Sequence, residues 1–218
     1  TAEDKNGKEL ALTDKGDGKY TFPMPGSQVT VTARFKQTDT GTENPFTDIS
    51  KNDYFYDAVL WAVEEGITSG TSDTTFSPNV SCTRAQMVTF LWRVSGFPKA
   101  SITNPFTDVS ADAYYYDAVL WAVEQGITGG TGDGKFSPDA PCTRAQMATF
   151  LWRAAGSPAP ASNVSAFTDV PEGSWYAKAV QWAYEQNITN GTGDGKFSPD
   201  ATCTRAQMVQ MLKISNQE

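Results

Sequence analysis

Two periodicities divide the chain. Before position 37, polar and apolar residues alternate in Lys19-Tyr20-Thr21-Phe22 and in Gln28-Val29-Thr30-Val31-Thr32-Ala33-Arg34-Phe35. That is the period of a half-buried strand. Pro23-Met24-Pro25-Gly26 separates the two runs, and Asp17-Gly18 marks a turn before them. After position 45 the period becomes helical. Tyr56, Val59, Leu60 and Val63 fall at i, i+3, i+4 and i+7 and predict a helix over 53–65. Trp61 and Ala62 widen its apolar surface, so this helix is expected to be covered on more than one side. Met87, Phe90, Leu91 and Val94 predict a second helix, which Gly96 ends.

The helical pattern occurs three times. Phe46-Thr47-Asp48-Ile49 returns as Phe106-Thr107-Asp108-Val109 and as Phe167-Thr168-Asp169-Val170, offsets of 60 and then 61. A constant internal order at such a period means copies of one supersecondary unit. Each unit reads as short extended lead, helix, loop, helix. The units are assigned to 46–96, 106–156 and 167–214, with a polar linker at 38–45 and a β-rich segment at 1–37. Gly66, Gly126 and Asn187 follow the first helices as residues that tolerate a left-handed backbone. The loop Gly-Thr-Gly-Asp-Gly-Lys-Phe-Ser-Pro stands at 130–138 and 191–199, with a looser version at 70–78. It lacks the alternating acids and terminal glutamate of a calcium loop and reads as a tight turn that buries its phenylalanine.

Every second helix starts with the same words. Thr-Arg-Ala-Gln stands at 83–86, 143–146 and 204–207, between a cysteine (Cys82, Cys142, Cys203) and a methionine (Met87, Met147, Met208). Threonine followed three residues later by glutamine is a capping box, with Cys and Met placed as a hydrophobic staple. The arginine sits at the positive end of the helix dipole, where a cation is mildly disfavoured. Its threefold use suggests either a site for a carboxylate or phosphate, made by free helix N–H groups and an adjacent guanidinium, or an exposed arginine or one paired to a neighbouring acid.

Composition narrows the chemistry. Of 218 residues, 39% are apolar and 19% charged, which suits a folded chain. There is no histidine, which removes Ser-His-Asp and Cys-His catalysis and His-ligated zinc. The net charge is −8 with no basic run, so nucleic acid is not an expected partner. Three cysteines at equivalent repeat positions do not form a disulfide framework, and no stretch has the ~20 apolar residues of a membrane span. Asp48 and Asp133 sit in cap and turn contexts with nothing to pair them, so no glycosidase-type carboxylate pair is expected and the chain reads as non-catalytic, without cofactor or metal. The opening Thr-Ala-Glu-Asp reads as the continuation of a longer protein.

The ordered set Phe-Thr-Asp-Val, Ala-Val-x-Trp-Ala, Gly-Ile-Thr-x-Gly, Phe-Ser-Pro and Thr-Arg-Ala-Gln-Met resembles the S-layer homology domain, over residues 46–214 and in all three copies. The resemblance implies a mainly α fold, in which three helix-loop-helix repeats form one pseudo-threefold module with the capping-box helices near its centre. It implies non-covalent anchoring of an extracellular bacterial surface protein, through secondary cell-wall polysaccharide bound in grooves between repeats, commonly by a pyruvate ketal on a terminal sugar. Carried onto this chain, the anion-recognising arginines are Arg84, Arg144 and Arg205. Gly66, Gly70, Gly126, Gly130 and Gly191 would lie near the grooves. Position 187 departs from the family pattern, being Asn, and Gln86, Gln146 and Gln207 stand where the family usually has Glu. Trp61, Trp121 and Trp182 can stack on a sugar face or belong to the core. The alternative reading is a module that assembles with copies of itself or with other surface-layer proteins. Separately, the wording of 20–35 resembles the end of divergent B-repeat modules of bacterial surface proteins, which implies a stalk or spacer.

Overall fold

The structure is a computed structural model that describes residues 43–217, together with 2–4, 6, 8, 10, 13–14, 20–23, 26 and 29–31. It comprises two compact units, 1–42 and 43–218. In the first, strand β1 (Ala2–Asp4) pairs antiparallel with β4 (Val29–Val31), and β2 (Thr13–Asp14) with β3 (Tyr20–Thr21). The two expected strands thus exist in part. Positions 19, 28 and 32–35 of those strands, and 38–42 of the linker, lie outside the described residues.

The second unit is mainly α. Its helices are α1 (Tyr56–Glu64), α2 (Arg84–Val94), α3 (Tyr116–Glu124), α4 (Arg144–Ala154), α5 (Ala177–Glu185) and α6 (Arg205–Ser215), two per repeat. Helix α1 starts at Tyr56, the first residue of its apolar stripe, and not at the expected 53. Asp53 is in a turn instead, its carboxylate accepting from the Ser50 N–H at 2.7 Å, and α1 begins with no side-chain cap. The ends match expectation: Gly66, Gly126 and Asn187 all have positive φ, and Ile67, Ile127 and Ile188 turn back into the core.

Helices pair between repeats rather than within them. Helix α2 packs on α3, α4 on α5, and α6 on α1, which closes the set of three. The capping-box helices meet in the middle, α2 against α4 and α4 against α6. This explains why the first helices are apolar on several faces: Ala58, Val59 and Ala62 are buried in α1, and the equivalent residues in α3 and α5. The extended lead of each repeat clamps its own loop. Asp108 accepts from the Phe136 and Ser137 N–H groups, both at 2.8 Å, as Asp48 and Asp169 do from their counterparts. The clamped loop drives Phe76, Phe136 and Phe197 fully inside.

Gly70, Gly130 and Gly191 have a packing reason to be glycine. A Cβ on Gly130 would lie 2.5 Å from a ring carbon of Phe106, on a residue with φ of +87°. Gly126 also has positive φ (+68°), but a Cβ there meets nothing within 4 Å. Gly126→Ala should therefore cost only the backbone term, about 1 kcal/mol. Gly130→Ala should cost clearly more, because Phe106 must also move. Chemical denaturation of both variants checks this, and equal losses would refute it.

Candidate ligand grooves between repeats

Each inter-repeat junction where a groove is expected is built at the start of a capping-box helix. The Thr83 hydroxyl accepts from the Gln86 N–H, and Gln86 Oε1 accepts from the Thr83 N–H, both at 3.2 Å. The same box closes at Thr143 and Thr204. The next two amides are taken by the following repeat. Arg84 N–H donates to the Ala140 carbonyl and Ala85 N–H to the Pro138 carbonyl, each at 3.0 Å. Arg144 and Ala145 donate to Ala201 and Pro199, and Arg205 and Ala206 to Val80 and Pro78. All four initial N–H groups of each helix are thus occupied. The expectation of free helix N–H groups for an anion is corrected: the positive end of each dipole is already satisfied by neighbouring carbonyls.

The arginine side chains remain. Arg84, Arg144 and Arg205 are only 3%, 4% and 2% exposed. Each Nε donates to the carbonyl of the loop phenylalanine in the next repeat: Arg84 to Phe136 at 2.9 Å, Arg144 to Phe197 at 2.8 Å, Arg205 to Phe76 at 2.9 Å. Each guanidinium also lies over that phenylalanine ring, 4.7–4.8 Å from its centroid. Among the described residues, none of their hydrogen bonds ends on a carboxylate. Among the described residues Arg84 Nη2 and Arg205 Nη2 are buried with no hydrogen-bond partner, whereas Arg144 Nη2 reaches Thr189 Oγ1 at 3.4 Å. Burial lowers the pKa of all three, partly offset by neighbours such as Asp108 beside Arg84.

Three exposed aromatic residues went unnoticed in the sequence. Tyr54, Tyr114 and Trp175 occupy equivalent positions just before the first helices and are 67%, 63% and 61% exposed. Each is braced edge-on by the next ring, at 5.0–5.1 Å between centroids. Burial raises the Tyr54 pKa, as does Cys203, with Arg144 opposing; Tyr114 is raised likewise, with Arg205 opposing. The two tyrosines therefore lie near Arg144 and Arg205 respectively. The groove of Arg144 takes its cation from the second repeat, its loop from the third and Tyr54 from the first. The available signal was an aromatic residue at the same repeat position in all three copies.

The tryptophans fall elsewhere. Trp121 and Trp182 are buried in the core, and Trp61 is half-buried against it. The cysteines meet at the centre. Cys82 N–H donates to the Cys203 carbonyl, Cys142 to Cys82, and Cys203 to Cys142, at 2.8–2.9 Å. Their thiols are free and buried. Burial pushes Cys142 and Cys203 up to about 12, and Cys82 well above its ordinary value. Cys203 Sγ lies 3.3 Å from Met147 Sδ, so this contact joins two repeats rather than the two ends of one capping box. Among the described residues, no group of three Cys, Asp or Glu side chains could hold a metal ion.

The family model of the S-layer homology domain matches residues 45–88, 105–148 and 166–209. The chain is 43% identical over 114 residues to a cell surface protein of Thermoanaerobacter kivui, covering 50% of this chain and 15% of that protein. It is 33% identical over 173 residues to an endoglucanase of Bacillus sp. (strain KSM-635), covering 77% of this chain and 18% of the relative. It is 28% identical over 149 residues to a cellulosome-anchoring protein of Acetivibrio thermocellus, covering 64% and 33%. The chain thus spans between about a seventh and a third of these relatives.

The loop clamps titrate in a known direction. Burial works to raise the Asp108 and Asp169 carboxyls, but the backbone N–H groups bonded to them outweigh it, helped by Lys135 and Lys196, and both lie below their ordinary value. Their stabilisation is full above the unfolded-state pKa of about 4 and is lost as pH falls through the lowered folded value. The urea midpoint should drop below pH 4. An Asp108→Asn, Asp169→Asn variant should start lower at pH 7 and lose less over the same interval. An equal acid loss in the variant would exclude these two groups.

Proposed function

The chain belongs to the S-layer homology family, and from that premise we propose that it holds its parent protein on the bacterial wall by binding secondary cell-wall polysaccharide in the inter-repeat grooves. Its place of work is outside the cell, at the wall or surface layer. The ligand group proposed is a carboxylate on a sugar, as in a pyruvate ketal. The sequence shared with an endoglucanase and with surface and anchoring proteins supports a role in attachment rather than in one chemistry, since it is common to proteins of different description.

One observation carries this reading: a buried guanidinium in each groove without a carboxylate partner among the described residues. A buried charge costs several kcal/mol unless it is well compensated. The loop carbonyl and the phenylalanine ring compensate in part, and Nη2 of Arg84 and Arg205 is left over. A ligand carboxylate can accept from it by a charge-assisted bond. The exposed faces of Tyr54, Tyr114 and Trp175 offer stacking surface for the attached pyranose. With all four helix N–H groups occupied, the arginine and the rings bear the recognition. Gly70, Gly130 and Gly191 act by allowing the loop to close rather than by touching the ligand.

Calorimetry with purified wall polysaccharide tests the reading. Saturable binding is expected, and removal of its acidic ketals should abolish it. Arg84→Met and Arg205→Met should each weaken it by roughly ten- to a hundredfold, about 1.5–3 kcal/mol for a charged hydrogen bond. Their thermal stability should stay the same or rise, since an apolar side chain of similar volume replaces a buried ion. Equal binding of the ketal-free polymer would refute the proposal. Concentration-dependent assembly without polymer would favour self-association instead.

A further inference from the structure

The third repeat departs from the other two at the last turn of its second helix. Trp92-Arg93 and Trp152-Arg153 are replaced there by Lys213-Ile214. In the first two repeats this arginine is a strut. Arg93 Nη1 donates to the Ile67 carbonyl at 2.9 Å, and Arg153 Nη1 to the Ile127 carbonyl at 3.0 Å. The carbonyl in the corresponding place of the third repeat belongs to Ile188. Ile214 is too short to reach as far and has no donor. Lys213 turns toward the first repeat and donates to the Asp57 carbonyl at 3.2 Å.

A cavity of about 600 Å³ lies between the segment after α4 and the ends of α5 and α6, with Ile214 in its wall. Trp182, Ile188 and Ile214 form its apolar wall, while Glu185, Gln186 and Gln217 supply polar groups. Its size falls within the ~300–1,000 Å³ of small-ligand pockets. Glu185 is held in place. Its carboxylate accepts from Ala161 N–H at 2.8 Å, Ser162 N–H at 3.0 Å and Gln181 Nε2 at 2.9 Å. The Gln181 bond is the main cause of a pKa below the ordinary carboxylate value, so the group is ionised at neutral pH.

We propose that this cavity binds the guanidinium side chain of an arginine presented by a partner polypeptide. The fold itself supplies the precedent, because in two repeats out of three it seats an arginine at the equivalent place, on the carbonyl equivalent to that of Ile188. The chemistry is complementary. An alkyl stem lies on the Trp182, Ile188 and Ile214 wall, and a planar cation meets a carbonyl and an ionised carboxylate. Among the described residues no lysine or arginine lines the cavity, so carboxylates and phosphates find no counter-charge from them. The net charge of −8 draws cationic segments toward it. This site is separate from the grooves of Arg84, Arg144 and Arg205 and stands independently of the polysaccharide reading.

Titration of the 15N-labelled chain with Gly-Arg-Gly amide tests it. Saturable shifts are expected at the amides of Gln186, Ile188 and Ser215. The citrulline analogue, which has the same shape without the charge, should bind at least tenfold more weakly. Ile214→Arg rebuilds the strut, so it should remove the binding and raise Tm, while leaving polysaccharide binding unchanged. Glu185→Gln should weaken the peptide severalfold, and it serves if the first variant folds poorly. Absence of saturable shifts, equal binding of the citrulline peptide, or undiminished binding by Ile214→Arg would each overturn the proposal. So would N-acetylglucosamine shifting the same amides in the peptide's place, which would mark a sugar site.

Discussion

The module hangs on a closed ring of three backbone hydrogen bonds. Cys82, Cys142 and Cys203 each give one N–H and accept one in turn around the pseudo-threefold axis. One repeat alone cannot satisfy these groups, and two leave one donor and one acceptor open, facing a dry centre. A buried unpaired backbone group costs free energy comparable to a lost hydrogen bond, so the third repeat must return to the first. Docking of α6 on α1 completes that return. Cysteine suits the axis because it is small and apolar when protonated. The raised pKa values keep it so, and with thiols neutral the axis is a packing centre. The linkers that join the repeats add little to the cost of closure, since that cost grows only logarithmically with loop length.

The same closure creates the grooves. The loop carbonyls that cap each central helix come from the next repeat, and so does the phenylalanine under each arginine. Where Tyr54 flanks Arg144 and Tyr114 flanks Arg205, the ring comes from the remaining repeat. Assembly and site are therefore one set of contacts. This explains why the arginine stands at a helix N-terminus that disfavours it. That position aims the side chain across the junction onto the next repeat's loop. An apolar residue there would pack without desolvating a charge, and residues that break a local rule without local gain are expected at functional sites.

Much of this was readable in the sequence, because the information was local. The capping boxes, the left-handed residues at 66, 126 and 187, and the burial of Phe76, Phe136 and Phe197 all follow from a few adjacent residues and a fixed period. What escaped was non-local. Nothing in Thr-Arg-Ala-Gln says that the second and third amides are met by Ala140 and Pro138 of another repeat, so the helix ends looked free. The start expected for α1 at Asp53 fell on a residue whose carboxylate serves a turn instead. Trp121 and Tyr114 illustrate the same limit: both are aromatic and lie close in sequence, yet one is core and one faces solvent. Only the packing of α3 on α2 separates them.

Repetition in sequence did not yield three identical grooves. Phe150 and Phe90 add a second ring to Arg84 and Arg205, at 5.5 and 5.7 Å, but the equivalent residue facing Arg144 is Met211. Arg144 also has a donor turned to Thr189, where the other two have a buried Nη2 to spare. A bond of 3.4 Å is long and weakly held, so a carboxylate can displace it at small cost, and the difference between grooves is one of degree. On the proposed polysaccharide reading, three such sites on one compact unit would still act together. After a first contact the others would then act at high effective concentration, so on that reading the hold would depend on the set rather than on its weakest member.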